Sequence, residues 1–194
     1  QAYRKFDPVN PTDVSIASSL GAADKKVLGN VLPTYFGAFN SNMAYKNFDL
    51  GFMFRFSGGN KINNLTRREL LSQGFNNNGT EILGRWQSID NPGDGWTPRL
   101  RDDRETIINI NQASSRFVEK GDYIKLDNIT LGYNLPKSVL DKVGLEKFRL
   151  FVQGQNLLII TDYKGLDPEM EVLGNDYNGT PRSRIFSIGL NVGF

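Results

Sequence analysis

The sequence contains no cysteine and no histidine among its 194 residues. Without cysteine, the chain cannot form disulfides, bind zinc through thiolates or use a thiol as a nucleophile. Without histidine, it lacks the commonest general base, the Ser-His-Asp triad and every imidazole metal ligand. These absences disfavour an enzyme, and no catalytic, cofactor-binding or metal site is predicted.

The sequence also lacks a long apolar run and a marked excess of one charge. Its longest purely aliphatic run is 157–160, whereas a membrane helix needs about 20 apolar residues. This excludes a helical membrane protein but not a membrane β-barrel, whose strands show only about 10 residues of alternating hydrophobicity. The 23 Lys+Arg against 21 Asp+Glu give a formal charge of +2, which argues against a nucleic-acid partner.

Turn-forming and aromatic residues, by contrast, are plentiful. The 20 Gly, 20 Asn and 8 Pro make up about a quarter of the chain, which indicates many chain reversals and argues against a helical bundle. The 13 Phe and 7 Tyr favour strands. The composition therefore predicts an all-β fold.

Period-two alternation of apolar and polar residues marks the strands. It is clearest in 48–57, where Phe and Leu at even positions alternate with mostly small or polar residues. Only Lys46 and Asn47 separate this segment from the preceding one, which predicts a tight hairpin. Asp127 interrupts a later alternation, which predicts that the first half of that strand leaves the apolar layer. Five strands are predicted in all, at about 34–45, 48–57, 121–135, 146–160 and 183–194.

The connections between these strands are of two kinds. Those at 46–47 and 136–145 are short, the second with a short helix, whereas 58–119 and 161–182 are long. Outer-membrane barrels sort their connections in this way, with short periplasmic turns and long external loops. Aromatic residues near the short turns match an interfacial girdle, namely Tyr45, Phe48, Tyr133 and Phe148. The polar strand faces suit a wet lumen, and the candidate lumen-facing residues are Asp49, Arg55, Arg149, Gln153 and Gln155.

Two further predictions concern segments outside the strands. Residues 1–32 are punctuated by Pro, Gly and Asn without any period, which predicts a turn-rich loop. In that loop Asp7, Asn10 and Asp13 do not have EF-hand spacing, so no calcium loop is predicted. Thr66 and Glu69 have the spacing of a capping box, which predicts a short helix that starts at Thr66.

Several stretches of the sequence resemble one known family. GDYIKLDNITLGYNLP at 121–136, FVQGQNL at 151–157 and TDYKGLDPE at 161–169 are similar to signatures near the end of SusC/RagA-type TonB-dependent outer-membrane transporters. GNVLP at 29–33, YKNFDL at 45–50 and the ending from Pro181 to Phe194 match the same family. The resemblance covers most of residues 27–194, in the right order.

The resemblance implies an antiparallel transmembrane β-barrel of about 22 strands, of which this chain supplies the C-terminal five, with long extracellular loops. It also implies that the plug domain of such a transporter is absent from this chain. The implied function is import of nutrients, as glycan or peptide oligomers, across the outer membrane of a Bacteroidetes-type bacterium. The implied partners are the rest of the barrel and its plug, a SusD-like surface lipoprotein, TonB, and outer-membrane lipid.

The resemblance also assigns roles to particular residues. The family-motif loop consists of Tyr163, Gly165, Asp167, Pro168 and Glu169, which are expected to fix the shape of the loop and its packing. Phe194, an aromatic residue at the end of the last strand, is expected to serve as an assembly signal. No cofactor is implied.

Two alternatives remain open at this point, a soluble β-sandwich that binds carbohydrate and a secreted β-rich hydrolase. In a sandwich, Phe52 and Phe54 would be buried against a second sheet, whereas in a barrel they would meet lipid. Five strands also leave two open edges, at 34–45 and 183–194, and unpaired edges are costly in lipid. The barrel interpretation therefore predicts that the chain is one piece of a larger barrel.

Overall fold

The computed structural model describes residues 3–6, 14–17, 25–72, 77–100, 114–169 and 173–194. The helices within these ranges are short, and none of them is long and apolar enough to cross a membrane. The helices are α1 (Leu65–Leu70) and α2 (Lys137–Val143), with 3₁₀ turns at Thr80–Gly84 and Ser115–Phe117. The strands are β1 (Tyr3–Phe6), β2 (Val14–Ala17), β3 (Tyr35–Tyr45), β4 (Phe48–Gly58), β5 (Lys61–Asn64), β6 (Val118–Lys120), β7 (Tyr123–Asn134), β8 (Lys147–Thr161), β9 (Asn175–Asp176) and β10 (Ile185–Gly193).

The main element is a five-stranded antiparallel sheet with the strand order β10-β8-β7-β4-β3. Its strands lie within two residues of the bounds expected from the sequence. At one end, Lys46 adopts a left-handed conformation with φ 54° in the two-residue turn between β3 and β4. At the same end α2 stops at Gly144, whose φ is 67°. The tight hairpin and the short helical connection are therefore present as predicted.

One face of this sheet is apolar and uncovered. The register places Phe48, Leu50, Phe52, Phe54 and Phe56 of β4 beside apolar partners on β7, and it places three of them beside Tyr45, Met43 and Phe39 on β3. Phe48 is 52% exposed and packs its ring on Tyr133 at a centroid distance of 4.8 Å. The apolar side chains that are buried in the described residues lie elsewhere: Ile62, Leu71, Phe117, Leu140 and Tyr163. In the described residues, no other sheet packs on this apolar face, as the sandwich alternative would require.

A β-bulge at Asp127 corrects one expectation. Asp127 is an extra residue on β7, since Met53 and Phe54 of β4 pair with Asn128 and Leu126. Because the bulge absorbs one residue, Leu126 and Ile124 stay on the apolar face. The prediction that the first half of this strand leaves the apolar layer was therefore wrong.

The next strand, β8, has an irregularity of its own at the same level. Asn156 and Leu157 of β8 lie opposite the single residue Asp127, and Asn156 has φ 54°. Beyond this point Leu158 and Ile160 pair with Leu126 and Ile124. The apolar face therefore runs without a break along the whole length of both strands.

Two other expectations also need correction. The segment 1–32 is not all loop, because β1 and β2 pair as an antiparallel hairpin and Asn30 forms a bridge with Asn60. Asp7, Asn10 and Asp13 lie outside the described residues. Helix α1 begins at Leu65 and is capped by Asn64, whose Oδ1 accepts a hydrogen bond from the Arg67 amide at 2.7 Å. The capping residue is therefore Asn64 and not Thr66, and the helix begins one residue earlier than predicted.

The long connections fold into a small unit of their own, which we call the loop unit (residues 61–72, 77–84, 114–120 and 173–178). Its sheet has the order β6-β5-β9, with β9 parallel to β5. Ile62 and Phe117 are fully buried at its centre, as is the side chain of Asn64. The loop unit therefore contains the best-packed core in the described residues, and it stands at the end of the main sheet opposite the tight turns.

The left-handed backbone conformation of Asn156 leads to a testable prediction. Replacing Asn156 by Val should destabilise the protein by about 1–2 kcal/mol, because a β-branched residue fits the left-handed conformation poorly. Replacing it by Gly should cost much less. Both variants lose the Asn156 side-chain hydrogen bond to the Ser183 carbonyl, so the difference between them isolates the backbone effect. Thermal unfolding of the purified full-length protein measures that difference, and equal melting temperatures would contradict the prediction.

Candidate functional site

The polar face of the main sheet carries the residues that the sequence marked as candidate lumen-facing groups. Period-two alternation places Asp49 and Arg55 of β4 on this face. Arg149, Gln153 and Gln155 of β8 lie on the same face, opposite Asn134, Thr130 and Asn128 of β7. The structure groups the charged residues among them into two clusters, one near each end of the sheet.

The cluster near the tight turns joins three strands. Arg149 donates to Asp49 through Nε at 3.0 Å and through Nη2 at 2.5 Å, and Asn134 Nδ2 donates to the same carboxylate at 2.9 Å. Gly132 lies beneath this pair, and a Cβ there would come within 2.5 Å of the Asp49 carboxylate. The Arg149 guanidinium also stacks over Phe151 at 5.0 Å. This cluster pairs charges across the face, as bidentate arginine–carboxylate contacts do.

The second cluster lies at the other end of the sheet and includes a residue from the long connection 161–182. Arg55 Nη2 contacts Asp127 Oδ1 at 2.7 Å and Glu169 Oε1 at 2.8 Å. Tyr123 donates its hydroxyl to Glu169 Oε1 at 3.0 Å, and Lys125 donates to Glu169 Oε2. Glu169 therefore receives hydrogen bonds or ion pairs from three side chains on two strands.

The bulge explains how this cluster arises. Asp127 would point to the apolar face in an unbroken alternation, but as the extra residue it reaches Arg55 on the polar face. Lys125 is only 3% exposed, and an unpaired buried ammonium would be costly. The Glu169 carboxylate removes that cost by contacting Lys125 directly.

The family-motif loop is shaped by contacts of four of its residues. Tyr163 donates its hydroxyl to Asp176 Oδ2 at 2.5 Å. Its ring passes over Gly165, where a Cβ would lie 2.2 Å from a ring carbon, so only glycine fits. Asp167 Oδ1 accepts the Glu169 amide at 2.9 Å, which closes a local turn around the buried Pro168. The loop thereby presents Glu169 to the sheet.

The electrostatic environment of Glu169 keeps its side chain ionised. Burial by itself would raise the pKa of Glu169. Hydrogen bonds from Lys125 and Tyr123, together with the positive charges of Lys125 and Arg55, outweigh that effect and hold the pKa below its usual range. At neutral pH the loop therefore carries a full negative charge into the cluster.

Arg67 organises the loop unit. Its guanidinium makes two hydrogen bonds to Glu81, at 2.5 and 2.8 Å, and contacts Glu119 Oε1 at 3.1 Å. It also donates to the Arg116 carbonyl at 3.1 Å and lies 6.0 Å from the Phe117 ring centroid. One side chain on α1 thus connects the 3₁₀ turn at 80–84 with β6.

Asp176 makes the corresponding connection from the second long loop. It accepts hydrogen bonds from the Thr66 hydroxyl at 2.8 Å and from Tyr163, so it holds α1 and the motif loop together. The Asn63 amide donates to the Gly174 carbonyl at 2.7 Å. The two long connections, 58–119 and 161–182, therefore fold as one unit.

The sequence reasoning missed several residues of these clusters. Lys125 was not singled out, and Asp127 was noted only as an interruption, because the interrupted alternation concealed which face each of them occupies. Arg67 and Asp176 gave no signal, since their partners are distant in sequence and belong to different segments. Asn64, which precedes the first helical residue, could have been recognised as a capping residue. Phe194, expected to be an assembly signal, is 88% exposed just beyond β10.

Comparison with known proteins provides the decisive observation. No family model matches the chain. The chain is 37% identical over 193 residues to TonB-dependent receptor P3 of Formosa agariphila, covering 94% of this chain and 18% of that protein. It is 33% identical over 174 residues to the TonB-dependent receptor SusC of Bacteroides thetaiotaomicron, covering 88% of this chain and 16% of that protein. The chain is homologous to SusC-type TonB-dependent receptors.

The fold of this SusC-like chain also has close counterparts among solved structures. It matches the RagAB peptide importer in the closed-closed state with a TM-score of 0.79 and in the open-open state with 0.80, at 24% identity in each case. The matches cover 98% and 100% of this chain but 20% of those chains. The SusC-like chain thus spans about a fifth of the length of the relatives it matches.

We expect Arg67 to control the local stability of the loop unit of this SusC-like chain. Arg67→Met should increase hydrogen exchange in 61–72 and 77–84, because it removes the ion pairs to the largely buried Glu119 and the half-buried Glu81, at a cost of roughly 1.5–3 kcal/mol for lost hydrogen bonds to charged groups. The matched control is Arg68→Met on the same helix, since Arg68 makes only a 3.4 Å contact with the exposed Glu69. Equal exchange in the two variants would contradict the role given to Arg67.

The loop unit should also loosen in acid. The hydrogen bonds from Arg67 hold the pKa of Glu81 below its ordinary value of 4.5, although burial opposes them. Since the folded pKa lies below the unfolded one, the pair stabilises the loop unit fully above about pH 4.5, and this contribution is lost as the pH falls through the folded pKa. Hydrogen exchange corrected for intrinsic rates should show an acid transition near 80–84 that is weaker in Glu81→Gln. An unchanged transition in that variant would assign the effect to another group.

Proposed function

We propose that the chain is the C-terminal part of the barrel wall of a SusC-like TonB-dependent transporter in the outer membrane of a Bacteroidetes-type bacterium. The complete transporter would import nutrients, as glycan or peptide oligomers, in partnership with a SusD-like surface lipoprotein. The single observation that carries this proposal is the division of the main sheet into an uncovered apolar face and a charged polar face, in a chain homologous to such receptors.

The apolar face supports contact with lipid. On β10, Phe186 and Ile188 are 76% and 78% exposed, and Ile160 of β8 is 60% exposed. Exposed apolar side chains on every strand of a sheet are unfavourable in water but suit the hydrocarbon layer. Tyr45 and Tyr133 lie near the tight turns, where an aromatic girdle would meet the membrane interface.

The polar face supports a water-filled interior. Its charges are paired across strands, as in the Asp49–Arg149 and Arg55–Asp127 contacts. A face of paired, partly exposed charges suits contact with water better than contact with a second apolar layer. In the proposed barrel, Gln153 and Gln155 would line the lumen between the two charged clusters. The tight turns would face the periplasm, and the loop unit would face the outside.

The two outer strands support a larger barrel. In the described residues, β3 and β10 each pair on one side only, so each has one edge of unpaired backbone groups. Such edges are not tolerated in lipid, where only closed barrels satisfy every backbone group. We propose that further strands of the complete protein, about 22 in total for this size class, pair with both edges.

The partners follow from the relatives. These relatives are TonB-dependent receptors, which supports energy coupling through TonB by a part of the protein outside this chain. RagAB is described as a peptide importer, and this supports peptides as one class of cargo, with glycans as the other. Phe194, two residues after the lipid-facing Val192 in sequence, would act in recognition by the insertion machinery.

The proposal is tested by placing a charge on either face of the same strand in the full-length protein. Phe52→Arg puts a cation on the apolar face at the middle of β4, which should cost roughly 2–4 kcal/mol in the bilayer and reduce the amount inserted in the outer membrane. Met53→Arg is the matched control, because it places the same side chain at the same depth on the polar face. Quantitative blotting of outer-membrane fractions measures both.

The outcomes separate the alternatives. Reduced insertion for Phe52→Arg with near-normal insertion for Met53→Arg supports the assigned faces. Equal insertion of both variants, or recovery of the unmodified full-length protein in the soluble fraction, would overturn the transporter proposal.

A further inference from the structure

The motif loop crosses the polar face at the end of the sheet that carries the loop unit. β8 ends at Thr161, whose hydroxyl donates to the Asp122 carbonyl at 2.7 Å, and the Tyr163 amide then donates to that hydroxyl at 3.1 Å. The chain turns back and brings Glu169 over β7 to Arg55 on β4. Residues 162–169 therefore pass over one strand and reach the next, on the face proposed to line the lumen.

The two ends of this segment are held by different means. Its first half is joined to the loop unit, through the Tyr163 hydroxyl to Asp176 and the Lys164 amide to Glu119 Oε2 at 2.9 Å. The hydrogen bonds and ion pairs described between 165–169 and the main sheet all run through the Glu169 side chain. Leu166, between the two attachments, is 60% exposed.

The attachment through Glu169 depends on charge. Lys125 is buried, and Glu169 is the acid with which it is paired in the described residues, whereas Arg55 also contacts Asp127. Moving Glu169 away would leave Lys125 buried without that partner, which is strongly unfavourable. The segment should therefore remain attached while Glu169 is ionised, and detach when its charge is removed.

We propose that residues 162–169 form a strap at the outer mouth of the barrel, fastened against the inner wall by Glu169 and released when that carboxylate leaves Arg55 and Lys125. Glu169 is in this sense a positioning residue, and the strap would govern access to the polar face from outside. The position at the mouth rests on the proposed function, whereas the fastening itself rests on the contacts of Glu169.

The test uses a nitroxide label on Leu166→Cys in the full-length protein, prepared so that this is its sole thiol; the present chain contributes none of its own. Electron paramagnetic resonance should show a largely immobilised label at pH 7. Adding Glu169→Gln should raise the ratio of mobile to immobile label roughly tenfold or more, as expected for the loss of hydrogen bonds to a charged group. Asp162→Asn is the matched control, since it removes an exposed carboxylate from the same strap and should leave the spectrum unchanged.

A pH series on the labelled Leu166→Cys protein provides a second readout that leaves Glu169 itself unchanged. The groups that face Glu169 are Arg55, Tyr123, Lys125, Asp127 and Asp167. Because the folded pKa of Glu169 is lowered, the strap should stay fastened above about pH 4.5 and become mobile as the pH falls through that folded pKa. In Glu169→Gln the label should be mobile at every pH. Asp127 and Asp167 remain in that variant, so an acid transition caused by either of them would still be seen there.

The outcomes are distinct from those of the membrane test. An immobile label in Glu169→Gln at pH 7, an acid transition that persists in that variant, or an equal effect of Asp162→Asn would overturn the strap. Each of these results can occur in a protein that inserts normally, so failure of the strap does not depend on failure of the transporter proposal.

Discussion

The alternation of two faces along every strand of the main sheet is the constraint on which the rest of the structure depends. Because side chains alternate with a period of two, one extra residue in a strand would move all later side chains to the opposite face unless a bulge absorbed it. The extra residue at Asp127 and the paired irregularity at Asn156 absorb such a shift on two neighbouring strands at the same level. The apolar face is therefore continuous, and the bulge itself delivers a carboxylate to Arg55.

Much of this arrangement could be predicted from the sequence, because alternation is a local signal. The five strands, the turn at Lys46 and Asn47, and the stop at Gly144 each depend on residues close together in the chain. The interruption at Asp127 was noticed but misinterpreted. Alternation alone does not distinguish a strand that leaves the apolar layer from a strand that bulges, since the register of the neighbouring strand decides between them.

The long connections could not be predicted, for a different reason. Their structure depends on contacts between residues far apart in sequence, such as Arg67 with Glu119 and Thr66 with Asp176. Charged and amide side chains of this kind are common in solvent-exposed loops, so their types carried no signal. In the same way, the family motif identified Glu169, but only the fold brings it to Lys125 and Arg55.

The shared core of the loop unit has a consequence for how such proteins can be varied. Ile62 and Phe117 come from the two ends of the first long connection, whereas Asp176 and Gly174 come from the second and are bonded to residues of the first. Exchanging one connection for that of a relative would leave the other without its partners. A chimera that is to keep a folded outer surface would therefore have to carry both connections from the same donor, as one inherited module.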